Sequence, residues 1–258
     1  MPYAEIDGAR VHYAVRAGGA RQVVFVHGGF GSSAELWART MAALPAEYGA
    51  YAIDNFLRSD PPPEGYSVPA FARRLAGFIA ALGLERPVLV GHSMGGVTIQ
   101  LAGIEHPDRI GGLVLVCTGP SMTNHALGRE LLADLRASGG DRDTIRRISG
   151  AWFRHPPAEF FEAYVERAAS VPLEAMTAVQ ASMIALDLRP RLGAIRVPTL
   201  VVHGAFDTGR TMEHAQALLA GIRGSRLAVM AESGHSPMVE TPEAFDAELH
   251  GFLRQCWR

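Results

Sequence analysis

The sequence contains little cysteine, no strong excess of either charge and no long apolar run. Its two cysteines, Cys117 and Cys256, lie far apart among 258 residues, so we expect no disulfide framework and a reducing, cytoplasmic location. The formal net charge of −2, without a basic stripe, predicts no nucleic-acid partner. No run approaches the roughly 18 apolar residues of a membrane-spanning helix, and the first residues lack the charged start and apolar core of a secretory signal. These absences predict a protein of the cell interior with no membrane partner.

Short apolar runs alternate with helical patterns along most of the chain. Residues 4–6 and 10–16, joined by the turn sequence Asp7-Gly8, predict an antiparallel hairpin. Most of the later runs are apolar throughout, which is typical of strands covered on both faces: residues 22–27, 51–54, 88–90, 110–117, 197–204 and 226–230. Because helices separate these strands, the pattern predicts an α/β fold with a mostly parallel sheet and helices on both faces.

The alternation stops between residues 119 and 188. This stretch predicts helices without an intervening strand, over residues 129–137, 143–152, 157–169 and 173–186. We interpret it as a helical cap that is inserted after the sixth strand and lies over the carboxyl edge of the sheet. The length suits one large α/β domain with an insertion. The predicted division is therefore a core of residues 1–118 and 189–258 and a cap of residues 119–188.

The most informative motif is Gly91-His92-Ser93-Met94-Gly95-Gly96. A β-branched run precedes it and a helical pattern follows it, so Ser93 should occupy a sharp turn between a strand and a helix. The glycines remove side chains that would collide where the chain doubles back. This pattern can occur in an ordinary glycine-rich turn. It is also typical of a nucleophile elbow, in which a serine hydroxyl lies near the positive end of a helix.

A second glycine-rich segment, from His27 to Ser33, follows the strand at residues 22–27. A loop of this kind could cradle phosphate, but the lysine of a nucleotide-binding loop is missing. Its bare backbone could instead direct an amide towards a developing oxyanion. Because a serine elbow lies downstream, we favour the second use and expect His27 to brace the loop by hydrogen bonding.

Two later loops supply an acid and a base. Asp207 and His235 each follow an apolar strand, and the carboxyl ends of parallel strands converge on one edge of a sheet. An imidazole can take the serine proton, and a carboxylate behind it fixes the imidazole tautomer. Glu232 is predicted to point elsewhere, and Asp54 and Asp60 to serve as turn or cap residues. No histidine pair has the spacing of a zinc motif, so we predict neither a metal nor a cofactor.

With these motifs in register, the chain resembles α/β-hydrolase fold proteins of the capped, esterase-like kind over nearly its whole length. The resemblance rests on the two glycine-rich motifs above, on His203 to Asp207, and on Ser233 to Pro237 followed by Glu240-Thr241-Pro242. It implies a catalytic triad of Ser93, Asp207 and His235. It also implies an oxyanion hole formed by the backbone amides of Gly29 and Met94, with Phe30 as the neighbouring candidate if the loop is offset by one residue.

Several side chains are candidates for a substrate pocket. Some flank the predicted triad, and the others belong to the cap, where they could instead hold the cap helices together. The candidates are Phe30, His92, Trp152, Phe153, Phe161, Met183 and Phe206. An apolar pocket would favour a small to medium uncharged acyl or alcohol group. The loop from Asp54 to Asp60 lacks the glycines usual in relatives and looks shortened, which leaves the shape of the pocket on that side open.

These features predict a serine hydrolase that cleaves a small to medium carboxylic ester through an acyl-enzyme on Ser93. A lactonase or a C–C bond hydrolase on the same triad is an alternative. His92 and Ser236 argue against the C–C hydrolases, which typically have asparagine and tryptophan at these places. Dehalogenases and epoxide hydrolases need aspartate at the elbow, so Ser93 argues against both. The alternative from another class is a receptor that binds a small molecule with vestigial turnover. The oligomeric state is not predicted.

Overall fold

Eight strands form one sheet in the computed structural model, which describes residues 2–31 and 33–257. Met1, Ser32 of the predicted glycine-rich loop, and Arg258 lie outside the described residues. The strands are β1 (Tyr3–Ile6), β2 (Ala9–Arg16), β3 (Arg21–Val26), β4 (Tyr48–Ile53), β5 (Val88–His92), β6 (Gly112–Val116), β7 (Thr199–Gly204) and β8 (Arg226–Met230). Their order across the sheet is β1-β2-β4-β3-β5-β6-β7-β8.

The sheet is antiparallel at one edge and parallel elsewhere. β2 pairs antiparallel with both β1 and β4, whereas every pairing from β4 through β8 is parallel. All the parallel strands therefore direct their carboxyl ends to the same edge, and the loops that follow β3, β5, β7 and β8 meet there. The mostly parallel sheet predicted from the apolar runs is confirmed.

Helices cover both faces of the sheet. The described helices are α1 (Ser33–Ala43), α2 (Val68–Ala81), α3 (Met94–Glu105), α4 (Ala126–Ser138), α5 (Arg142–Gly150), α6 (Ala158–Ala169), α7 (Leu173–Ala185), α8 (Met212–Gly221), α9 (Pro237–Glu240) and α10 (Pro242–Cys256). Val24 and Val26 of β3 face the core that contains α2, α3 and α8, while Val23 and Phe25 face the core that contains α1 and α10. This two-sided burial explains why β3 is apolar at successive positions. Within the described part of the chain, no helix combines the length and the apolarity that a membrane crossing requires.

The four helices α4 to α7 lie between β6 and β7, in the stretch that we predict to form a cap. The two ends of this insertion run side by side, because Ser121 and Asp187 form an isolated antiparallel bridge and Leu188 N donates to Pro120 O at 2.8 Å. The insertion thus leaves and re-enters the sheet at one place. The boundaries of the cap and the core stay a prediction.

Candidate active site

Ser93 occupies the turn between β5 and α3. Its backbone has φ 52° and ψ −114°, a conformation that is costly for a residue with a side chain. Three hydrogen bonds hold the residue in this state: Ser93 N donates to Val116 O at 2.9 Å, and Ser93 O accepts from Thr118 Oγ1 at 2.7 Å and from Val97 N at 3.2 Å. The strained turn places Ser93 in the wall of a cavity between the core and the insertion.

Two glycines allow this turn to pack against the sheet. A Cβ added to Gly91 would lie 2.5 Å from Gly95 O, and one added to Gly95 would lie 2.4 Å from Val26 O. Both clashes involve backbone atoms of tightly paired segments, which cannot move aside. The glycines of the motif are therefore needed for the close approach of α3 to β3 and β5.

His235 lies against the buried carboxylate of Asp207. Its Nδ1 is 2.9 Å from both Oδ1 and Oδ2 of Asp207, across a separation of 28 residues. A carboxylate only accepts, so Nδ1 carries the proton of the neutral ring and Nε2 is left as a proton acceptor. His235 also lines the cavity that Ser93 lines. The structure therefore brings the predicted acid and base together and places the predicted nucleophile and base in the wall of one cavity.

Asp207 is held in its ionised form. Burial acts to raise the pKa of its carboxyl, but His235, which lies beside it and donates to it, and the backbone N–H of Arg210 outweigh burial and hold the pKa below its ordinary value. Arg210 N donates to Oδ1 at 2.8 Å. A negative charge at this position stabilises a positive charge on the imidazole.

His92, the residue before Ser93, positions the loop that carries His235. Its Nε2 donates to His235 O at 2.8 Å, and the two rings are 4.8 Å apart. Burial, together with the neighbouring His235, lowers the pKa of His92 to about 3, so the ring is neutral at pH 7. On the other side, His235 N donates to Trp152 O at 2.8 Å. The insertion therefore helps to hold His235 in place, through a contact for which the sequence carries no signal.

The glycine-rich loop after β3 lies beside Ser93. His27 Nε2 accepts from Asn55 N at 3.0 Å, so Nδ1 carries the proton and donates to Gly28 O at 2.7 Å. This bond confirms the expectation that His27 braces the loop. Gly28, Gly29 and Phe30 line the cavity. Met94 begins α3, and its amide is one of those that have no acceptor within the helix.

The cavity has a volume of about 360 Å³ and lies between the core and the insertion. Four of the predicted pocket residues line it, namely Phe30, His92, Trp152 and Met183. The ring of Trp152 stacks on Phe30, with centroids 5.0 Å apart, and lies 5.8 Å from the ring of His235. An aromatic wall thus covers His235 from the side of the insertion.

Three other predicted pocket residues lie away from this cavity. Phe153 is buried in an aromatic cluster with Phe161 and Tyr164, at 5.8 and 5.5 Å between ring centroids. Phe206 is 49% exposed and carries Arg154 over its ring, with the guanidinium carbon 3.6 Å from the centroid. The expectation that Phe153, Phe161 and Phe206 line the pocket is corrected accordingly, because contacts between insertion helices and with solvent take up their surfaces.

The loop from Asp54 to Asp60 packs away from the cavity. Asp54 Oδ2 lies 2.6 Å from His12 Nδ1, and Arg74 donates to Asp60 O at 2.6 Å. No residue of this loop is among the described residues that line the cavity. Glu232, the other carboxylate near His235 in sequence, points outward and pairs with Arg154 at 2.6 Å. Neither segment competes with Asp207 for the base.

One further residue in the cavity wall was not identified from the sequence. Arg210, three residues after Asp207, is 3% exposed and lines the cavity. An arginine in a loop after a predicted catalytic acid is the only sequence signal for it, and such residues are ordinarily solvated.

One group of buried side chains has the composition of a metal site. Ligand atoms of Cys117, His203 and Asp207 lie within 4.8 Å of one another. Burial raises the pKa of the Cys117 thiol far above its ordinary value, and a metal ligand must be the thiolate. Both oxygens of Asp207 already accept from His235. The donor set therefore does not suit a metal ion.

The chain is similar in sequence to known hydrolases. A sequence model described as "Alpha/beta hydrolase family" matches residues 23–248. A 2-hydroxy-6-oxo-6-phenylhexa-2,4-dienoate hydrolase from Comamonas testosteroni is 32% identical over 196 residues, which are 71% of this chain and 68% of that protein. A 2-hydroxy-6-oxononadienedioate/2-hydroxy-6-oxononatrienedioate hydrolase from Paraburkholderia xenovorans is 28% identical over 280 residues, covering 96% and 92% of the two chains.

The fold is also similar to that of solved hydrolase structures. A thermophilic esterase from Thermogutta terrifontis, solved with malate bound, superposes with a TM-score of 0.87 at 25% identity. The match covers 100% of this chain and 99% of that one. The similarity therefore extends through the insertion as well as the sheet.

Proposed function

Since the chain belongs to the alpha/beta hydrolase family, as its motifs predict, we propose that it is a serine hydrolase that cleaves a small to medium carboxylic ester through an acyl-enzyme on Ser93. Family membership supports hydrolase activity in general. The observation that carries the serine mechanism is the cavity shared by strained Ser93 and by His235, whose Nδ1 lies 2.9 Å from buried Asp207.

Acylation begins with proton transfer from the serine. Nε2 of His235 takes the proton of the Ser93 hydroxyl as Oγ attacks the ester carbonyl carbon. The carbonyl oxygen becomes an oxyanion, which the amides of Gly29 and Met94 stabilise. When the intermediate collapses, the C–O bond to the alcohol breaks and His235 returns the proton to the departing oxygen.

Deacylation repeats the same proton transfers with water. His235 takes a proton from water, which attacks the acyl carbonyl, and then protonates Ser93 Oγ as the acid leaves. In both steps Asp207 faces the imidazolium and lowers its energy. The pKa of Asp207 lies below its ordinary value, so this charge is present throughout the neutral pH range.

Replacement of the nucleophile tests the proposal directly. Ser93→Ala should lower kcat for p-nitrophenyl acetate on the order of 10⁶-fold, because the acyl-enzyme cannot form. Ser225→Ala is the matched control, since the Ser225 hydroxyl donates to Ile222 O before β8, at the opposite edge of the sheet from the cavity. Undiminished hydrolysis by Ser93→Ala would overturn the serine mechanism.

A panel of substrates separates the alternatives on the same triad. The two curated relatives are named for a dienoate and a dienedioate, so esters, lactones and C–C substrates belong in one panel. We expect the highest kcat/KM with esters. A fluorophosphonate probe, read by intact mass, should label the wild type and spare Ser93→Ala. Tight binding of a small molecule with almost no product from any substrate would instead support a receptor.

A further inference from the structure

The wall of the proposed active-site cavity contains a buried cation, the guanidinium of Arg210. Arg210 follows Gly209, the residue at which an added Cβ would lie 3.4 to 3.6 Å from Trp152, Asp207 and His235. Its backbone N–H donates to Asp207 Oδ1 at 2.8 Å, so the base of the side chain is anchored beside the acid. The whole residue is 3% exposed. An arginine is rarely buried to this degree without a partner.

The guanidinium of Arg210 has no such partner among the described residues. Nε and Nη1 are both buried and make no hydrogen bond to a described residue, and no described carboxylate forms an ion pair with the side chain. The charge of Asp207 acts on it, but the oxygens of Asp207 are engaged by His235 and by the backbone of Arg210. A buried charge without a counter-ion is unfavourable, which points to a group supplied from the cavity.

The two imidazoles beside Arg210, those of His125 and His214, add hydrogen-bond capacity but no negative charge. Burial and then the charge of Arg210 lower the pKa of His125 to about 4, and the same two causes lower the pKa of His214. His125 Nδ1 accepts from Gly128 N at 3.0 Å, so its proton lies on Nε2. His125 lines the cavity together with Arg210. Two described carboxylates also line the cavity, namely Glu130, which is exposed, and Asp134, which pairs with Arg147. The imidazoles therefore leave the charge of Arg210 uncompensated, as suits an anion.

Arg210 itself stays charged at neutral pH. Burial lowers the pKa of its guanidinium to about 10, while the nearby Asp207 opposes that decrease. The second arginine of the cavity wall, Arg147, differs in that Asp134 already pairs with it at 2.8 Å. Of the arginines among the described cavity residues, Arg210 is thus the one whose charge is unpaired and available to a ligand.

We propose that Arg210 binds a carboxylate carried by the substrate, so that the enzyme prefers esters whose acyl or alcohol part bears a free carboxylate. This inference rests on the proposed function, and it replaces the expectation of an uncharged substrate. A guanidinium matches a carboxylate in shape and can donate two parallel hydrogen bonds to it. The cavity of about 360 Å³ has room for a chain of a few carbons between the carboxylate and the ester.

Matched esters test the preference. p-Nitrophenyl hexanoate and mono-p-nitrophenyl adipate differ in a terminal methyl against a terminal carboxylate. The wild type should have the higher kcat/KM for the adipate ester. Arg210→Met should lower kcat/KM for the adipate ester on the order of 10- to 100-fold, because a charge-assisted hydrogen bond to its carboxylate is lost. The kcat/KM for the hexanoate ester should change far less, because that ester has no carboxylate. Arg210→Lys should retain part of the preference.

Arg226→Met is the control, since it removes an arginine that pairs with Glu248 at 2.8 Å and does not line the cavity. The ratio of kcat/KM for the two esters should stay at the wild-type value. Circular dichroism and thermal melting establish that each variant is folded. An equal decrease for both esters in Arg210→Met, or no preference in the wild type, would overturn the inference while leaving the proposed function intact.

Ligand binding to a variant without turnover tests the carboxylate site separately from the proposed function. Adipate, titrated calorimetrically into Ser93→Ala, should bind, and binding should be lost when Arg210→Met is added to that variant. This result would support the carboxylate site even if the wild type hydrolysed no ester. Absence of ester hydrolysis by the wild type would contradict the proposed function only. If adipate binds neither protein, or binds both equally, the carboxylate site is refuted.

Discussion

At the scale of single residues, the position of the His235 ring depends on contacts from three directions. Asp207 accepts from Nδ1, His92 donates to the backbone oxygen, and Trp152 O accepts from the backbone nitrogen. Since the first contact fixes the tautomer and the other two fix the backbone, the ring keeps Nε2 available for a proton. The ionised Asp207 is the member of this set that also contributes charge.

Asp207→Asn should separate the effect of the Asp207 carboxylate on the charge and orientation of the His235 ring from its effect on packing. An amide of nearly the same size can donate to Nδ1 and favour the wrong tautomer, so we expect kcat for an ester to decrease on the order of 10⁴-fold. Asp246→Asn is the control, because Asp246 is another buried carboxylate but pairs with Arg39. Activity of Asp207→Asn within tenfold of the wild type would mean that this carboxylate does not support the base.

At the scale of elements, the turn from β5 to α3 combines a strained backbone with close packing. Its geometry requires a positive φ at Ser93, and Gly95 must lie directly against the end of β3. The cost of the strained serine is of the order of 1–3 kcal/mol, and it is offset by buried apolar contacts of β5 and α3. Local strain and tight packing thus occur in the same few residues.

Gly95→Ala should therefore destabilise the protein. The new methyl group would lie 2.4 Å from Val26 O and 2.5 Å from His27 O, so α3 would have to move away from β3. We expect the free energy of unfolding to fall by about 1–3 kcal/mol in urea titrations. Gly193→Ala, where an added Cβ meets no atom within 4 Å, should change it by less than about 0.5 kcal/mol. Equal stability of the two variants would contradict the close packing of the elbow.

At the scale of the whole molecule, the cavity depends on the contact between the core and the insertion. Glu240 of α9 accepts from Gly234 N in the His235 loop and from His155 N in the insertion, at 3.0 Å each. One carboxylate thereby connects the loop of the base to the cover of the cavity. His92, which lies in the cavity wall, is buried and stays neutral.

The burial of His92 predicts a loss of stability in acid. The unfolded chain binds a proton at this residue near pH 6.5, whereas the pKa of His92 in the folded chain is about 3. Between these values the unfolded state holds more protons, so the free energy of unfolding should decrease as the pH falls, by up to about 1.4 kcal/mol per pH unit from this residue.

Urea unfolding between pH 7.5 and 4.5 measures this effect. His92→Gln retains an N–H donor but cannot titrate, so its stability should depend less steeply on pH than that of the wild type. His155→Gln, at an exposed position, is the matched control and should keep the wild-type slope. Identical slopes for the wild type and His92→Gln would show that His92 does not cause the acid sensitivity.

Local sequence patterns are sufficient to predict the succession of strands and helices, the turn at Ser93 and the candidate acid and base. These features depend on local patterns: continuous apolar runs for strands with two covered faces, glycines where backbones meet, and polar residues directly after strands. Only the tertiary structure decided how the strands are ordered in the sheet, because pairing joins residues far apart in the chain.

The tertiary structure also decided which side chains face the cavity. Trp152 lines it while its neighbour Phe153 packs among insertion helices, and Arg210 enters the wall although nothing in its local sequence requires burial. The direction of such side chains is set by the docking of the insertion on the core, through contacts between segments that are distant in sequence. Local periodicity carries no information about those contacts, and for this reason the pocket was predicted less well than the fold.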